Sequence, residues 1–166
     1  DGYQAAVFIE NRDYVNISGL ELTNQASHKN SNGSVKLMDQ SSRSGLNERF
    51  GVLVLRHGSS NISKINLNDL KISNIFPSPT NSDNNHKGYG VRFESENDDN
   101  VLNFYDGINI ENMDISNTGH YGIHIVNRMS GAQEDFYHRN ILIKNSKFTD
   151  TGGSGIVLAR CKDVVV

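Results

Sequence analysis

Ile65-Asn66-Leu67-Asn68-Asp69-Leu70-Lys71-Ile72-Ser73-Asn74 alternates apolar and polar residues, breaks step once at Asp69, and resumes. The segments Val15 to Asn24, Ile108 to Asn117 and Ile141 to Asp150 fall in the same columns, and a further copy begins at Val164. Each full copy is followed, after a spacer, by Gly-apolar-x-apolar: Gly51-Val52-Leu53-Val54, Gly90-Val91-Arg92-Phe93, Gly122-Ile123-His124-Ile125 and Gly155-Ile156-Val157-Leu158. Repetition with a constant motif and variable spacers predicts stacked units, each contributing the same supersecondary element.

Alternation at period two within such short runs predicts strands with one buried face. The column Gly19, Asp69, Asn112, Asn145 holds the residue types that best tolerate a left-handed backbone, so a one-residue corner is expected there. A second polar column, Thr23-Asn24, Ser73-Asn74, Ser116-Asn117 and Thr149-Asp150, predicts a turn whose side chains bond backbone and one another. Ile17, Leu67, Ile110 and Ile143 should stack inside, as should Leu22, Ile72, Ile115 and Phe148. The expected fold is all-β, a single-stranded parallel β-helix (a solenoid) of about five coils over residues 1–166. A β-sandwich would instead need hairpin turns joining strands of independent register.

Composition fits this reading. Apolar residues make up 36% of the 166, which suffices where each coil buries only a few side chains, and fifteen Gly with two Pro suit repeated tight corners. No apolar run approaches a membrane span. Asp1-Gly2 leads almost directly into a strand and Val164-Val165-Val166 stays apolar, so the expectation is an uncapped section of a longer helix that, expressed alone, aggregates or is much less stable than a version extended at both ends.

The pattern running from Asn16-Ile17-Ser18-Gly19-Leu20 through Gly155-Ile156-Val157-Leu158 resembles the right-handed parallel β-helix repeat of the pectin-lyase-like superfamily, over nearly the whole chain. The residue signatures of the polygalacturonases and the Arg-rich signature of pectate lyases are not found. The resemblance implies a carbohydrate-active protein, secreted to the extracellular space or periplasm of a bacterium. It also implies that the outward positions of the Gly-apolar-x-apolar strand border a substrate groove. Those positions are Leu53 and Leu55, Arg92 and Glu94, His124 and Val126, Val157 and Ala159.

Only the third and fourth coils carry polar residues there, and both have enlarged spacers, the usual place for a binding site. Arg92 and His124 share a column and should stand about one strand spacing, roughly 4.8 Å, apart. His57, His86, Lys87, His120, Arg56, Arg128 and Arg160 lie on or beside these strands and loops, although the net charge is −3. A local cationic strip on a slightly acidic chain points to an anionic glycan, and the acidic balance disfavours nucleic acid. Tyr89 and Tyr121, each preceding the motif Gly, are candidates to stack on sugar rings.

Three functions can be built from these parts. A lyase on a uronic acid needs a cation on the carboxylate, a base for the C5 proton and an acid for the leaving oxygen. Arg92 suits the first role, His124 or Lys87 the second, and a tyrosine the third; His86, Tyr89, His120, Tyr121, Arg128 and Arg56 would bind substrate. A glycoside hydrolase needs two carboxyl groups, which Glu94 and one of Asp98, Asp99, Glu134 or Asp135 could supply. A non-catalytic adhesin or tailspike-like protein needs only the shape. The loop Glu94 to Asn100 is rich in oxygen ligands but lacks the Gly and terminal Glu of a calcium-binding hand, so a solvated acidic loop and no cofactor are expected. Cys161 is the single cysteine, which leaves no disulfide framework.

Overall fold

Each of the first four repeats contributes three strands to the sheets of the computed structural model, which describes residues 4–38, 48–58, 63–77, 87–95, 103–128 and 134–166. The first repeat supplies β1 (Gln4–Glu10), β2 (Val15–Ser18) and β3 (Glu21–Gln25), and its spacer forms β4 (Ser27–Lys29) and β5 (Val35–Leu37). Next come β6 (Arg49–Arg56), β7 (Ile65–Asn68) and β8 (Lys71–Phe76), then β9 (Gly88–Ser95), β10 (Asp106–Glu111) and β11 (Asp114–Thr118). The fourth repeat gives β12 (Ile123–Asn127), β13 (Arg139–Lys144) and β14 (Lys147–Thr151), followed by β15 (Ile156–Ala159) and β16 (Val164–Val165).

Strands pair with their equivalents in neighbouring repeats. One sheet runs β1-β6-β9-β12-β15, a second β2-β7-β10-β13-β16 and a third β3-β8-β11-β14. Every pairing in these three sheets is parallel. Equivalent residues are in register, so Ile17, Leu67, Ile110 and Ile143 form one row and Leu22, Ile72, Ile115 and Phe148 another. Both rows belong to one hydrophobic core, and Leu67, Ile72, Ile110 and Ile115 are fully buried there. Each such side chain contributes about 1.5–3 kcal/mol by leaving water.

The corners follow the sequence columns. Gly19, Asp69, Asn112 and Asn145 all have positive φ, between 51° and 69°. At the second polar column Asn74, Asn117 and Asp150 do so too, and the Asn117 amide donates to Asn74 Oδ1. A similar amide bond runs from Asn112 to Asn68 Oδ1 at 3.1 Å. Replacing Asn112 or Asn145 by Ala should therefore cost about 1 kcal/mol each through the left-handed backbone, measurable by denaturant melts. Asn24 departs from its column: the register shifts between Thr23 and Asn24, and its amide instead reaches the carbonyls of Gln4 (2.7 Å) and Phe50 (3.0 Å).

One element differs from expectation. β4 and β5 pair antiparallel in a hairpin inside the first spacer, which sequence reading treats as a plain loop. Its turn contains Asn32-Gly33, with Gly33 at φ 84°, the pair that most favours a tight hairpin.

The motif glycines have a packing reason. A Cβ on Gly90 would lie 2.6 Å from both Gly122 O and Ile115 Cγ2; one on Gly122 would lie 2.5 Å from Gly155 O and from Phe148 Cδ1. These residues sit where the first sheet presses against the third, and only a hydrogen fits. The same contacts show that the inside–outside alternation slips at the glycine. Val91 is in the core, yet Tyr89, two residues earlier, packs with Phe50 and Leu53 in a separate cluster. That slip places an aromatic ring on the face that carries Arg92.

Candidate functional site

The first sheet brings the outward columns together in the expected register. Leu53, Arg92, His124 and Val157 are successive partners, as are Leu55, Glu94, Val126 and Ala159. The surroundings differ from the expectation of a solvated row. Arg92 is only 4% exposed and Glu94 6%, while His124 is half-buried. Arg92 lies in a cage: its guanidinium carbon is 4.7 Å from the Tyr89 ring centre and 5.8 Å from that of Phe50. Its Nε is 2.7 Å from Glu94 Oε2, an ion pair in which the N–H points off the oxygen, and Nη1 is 3.4 Å from both oxygens of Glu48. The other oxygen of Glu94 pairs with Arg128 Nε.

This network corrects the reading of a free cationic strip. Arg92 and Arg128 are matched by Glu48 and Glu94, so these four groups are formally neutral together. The neutrality follows from burial, because an unpaired guanidinium held out of water would cost several kcal/mol.

Aromatic rings form the rest of the face. Tyr89 stacks on Phe50 at 5.5 Å and on His124 at 5.7 Å, and Tyr121 meets His124 edge-on at 5.2 Å. His120 stacks against Tyr121 at 3.6 Å and lies 5.3 Å from Tyr89. Burial, with the Arg92, His120 and Arg128 charges, lowers the His124 pKa to about 4, and its shielded Nδ1 has no hydrogen-bond partner among the described residues. Burial pushes the Tyr89 hydroxyl up to about 12. At neutral pH the face thus presents an unprotonated imidazole beside a protonated phenol.

Other expected site residues fall elsewhere. Arg56, 1% exposed, pairs with Asp13 and lies 5.2 Å from the centre of the buried Tyr105 ring, away from the Arg92 cage. The Tyr105 hydroxyl lies 3.0 Å from the carbonyls of Val54 and Glu94, and the Tyr105 backbone N–H donates to His138 Nδ1 at 3.0 Å. His57 pairs with Glu10 at 2.7 Å, and Arg160 donates to the Asn127 carbonyl at 3.1 Å. Lys87 immediately precedes β9, where its carbonyl accepts from Arg49 N. Glu134 and Asp135 stand on a short 3-10 turn, Glu134–Phe136, ahead of β13. His86, Asp98 and Asp99 lie outside the described residues, as does most of the acidic loop after Glu94. Among the described residues no three His, Cys, Asp or Glu side chains gather as a metal site, and no helix is long and apolar enough to cross a membrane.

Sequence reading misses Phe50 and Glu48. The signal for Phe50 is present, since Phe50-Gly51, Tyr89-Gly90 and Tyr121-Gly122 are one aromatic-glycine column. Glu48 has no counterpart in the other repeats and is found only through its contact with Arg92.

His124 shares its depressed pKa with His138, which is fully buried and also brought down to about 4 by burial. Below about pH 6.5 the unfolded chain takes up protons on these imidazoles while the folded chain stays neutral until about 4. Their contribution is therefore complete above pH 6.5 and is lost as pH falls toward 4. His138 accounts for about 3 kcal/mol of that loss, with a smaller part from the more accessible His124. Imidazole proton shifts followed by NMR should give midpoints near 4 for both residues, and a midpoint near 6.5 for either would refute its burial.

In comparisons by sequence, no family model matches the chain and no curated protein matches it.

Proposed function

We propose that the chain is part of a right-handed parallel β-helix from a secreted bacterial enzyme, and that it cleaves an anionic polysaccharide by elimination at the face of β6, β9 and β12. Three parallel sheets built from one strand per repeat support the helix, and the strong preference of parallel crossovers supports the right hand. The observation that carries the reaction is the pairing in register of His124, unprotonated at neutral pH, with the guanidinium of Arg92 on an aromatic-lined face. Arg92 neutralises the uronate carboxylate and stabilises the charge that develops on it when C5 loses its proton. His124 takes that proton, the C4–O bond breaks as the C4=C5 double bond forms, and a tyrosine hydroxyl or water returns a proton to the leaving oxygen. Tyr89, held protonated by burial, is the tyrosine nearest Arg92 among the described contacts.

Elimination is favoured over hydrolysis by the state of Glu94. A hydrolase needs a carboxyl group free to carry a proton to the leaving group. Both Glu94 oxygens are taken by guanidinium groups, Oε2 by Arg92 and Oε1 by Arg128, so neither is placed to meet a leaving group. The test is incubation with homogalacturonan, alginate and glycosaminoglycans. Elimination should release unsaturated ends that absorb in the ultraviolet, whereas hydrolysis yields reducing ends alone. Reducing ends without absorbance would replace the lyase by the hydrolase, and neither signal would leave a glycan-binding surface of the adhesin or tailspike type.

A further inference from the structure

We propose that Glu48 is an internal stand-in for the substrate carboxylate: it occupies the edge of Arg92 that an anionic glycan must take, and leaves when the glycan binds. This rests on the reading of the face as an anionic-glycan site and adds the residue that sets its selectivity.

The two carboxylates on Arg92 are held very differently. Glu94 is buried inside β9 and bridges Arg92 to Arg128, so its position is fixed from both sides. Glu48 immediately precedes β6, where strand pairing begins only at Arg49, and its side chain is 34% exposed. Its oxygens sit 3.4 Å from Nη1, whereas a charge-assisted bond of this type runs about 2.7–2.9 Å. Arg92 is therefore in close ion-pair contact on its Nε side and more loosely covered on its Nη1 side. The rings of Tyr89 and Phe50 hold the guanidinium in place while that second partner exchanges.

The chemistry of the occupant names the ligand. A carboxylate fills this edge of Arg92, so a sugar carboxylate can replace it with charge conserved and no guanidinium left unpaired. A neutral sugar offers no charge to compensate the departure of Glu48. The face accordingly selects uronate-bearing glycans, and Glu48 lowers their affinity by competing for the same atoms.

Binding of trigalacturonate separates this idea from the elimination reading. It is measured by calorimetric titration in a His124→Ala background, which stops turnover. Glu48→Gln should tighten binding about tenfold. Glu48→Asp, which keeps the charge but falls one methylene short of Arg92, should tighten it as well. Tightening by Gln alone would mean general charge repulsion and overturn displacement, as would unchanged affinity in both variants or no binding by any variant. With His124 restored, the Glu48 variants should lower KM. If no unsaturated product forms but both variants still bind more tightly, the lyase reading falls and the stand-in role remains.

Discussion

Gly122→Ala should lower the stability of the fold by about 3 kcal/mol, the upper range for overpacking a filled interior. The added methyl group would meet the Gly155 carbonyl oxygen and the Phe148 ring edge, both at 2.5 Å. The ring could turn aside, but the carbonyl belongs to the backbone leading into β15 and accepts from Ile123 N, so it can yield only by straining that pairing. Gly90→Ala should behave alike, because its methyl group would meet the Gly122 carbonyl oxygen at 2.6 Å. Gly19→Ala is the control. Nothing lies within 4 Å of a Cβ there, so only the φ of 69° is penalised, by about 1 kcal/mol. Chemical denaturation of the three variants checks the order, and equal losses at Gly19 and Gly122 would refute the packing role of the column.

Arg92→Ala should abolish turnover and also cost about 3 kcal/mol of stability, as breaking a buried ion pair does. An outward strand position, read from sequence, implies that removing Arg92 leaves the melting temperature almost unchanged. The structure reverses that expectation, because Arg92 lies between two rings and two carboxylates with 4% of its surface exposed. Replacing Arg92 and Glu94 together by Leu should recover part of the stability while activity stays lost. His124→Ala, which removes a half-buried ring, should abolish turnover at a much smaller cost in melting temperature. A wild-type melting temperature for Arg92→Ala would show that the cage does not hold in solution.

The strand rows and corners are legible in the sequence because they depend on local rules. Alternation decides which side of a strand faces inward, and a single Asn, Asp or Gly at a fixed column supplies the positive φ that turns the chain. Repetition then sets the register of Leu67 on Ile17 and Ile110, since equivalent residues in stacked repeats must meet. By the same logic the repeat columns alone place Arg92 and His124 side by side.

Burial and charge balance at the site are not legible in this way, since they depend on residues that no local rule connects. Glu48 reaches Arg92 across 44 positions of sequence, and Arg128 reaches Glu94 from beyond the end of the next strand. The slip of alternation at Gly90, which turns Tyr89 outward, goes with the close approach of Ile115 from another sheet. Arg56 shows the converse: its type and position suggest substrate, but Asp13 and Tyr105 enclose it. By itself, then, the sequence determined an all-β chain of repeating parallel strands and the column in which its polar face stands. Tertiary structure alone decided which charges there are paired, because pairing a charge is the condition for burying it, and its partners come from distant parts of the chain.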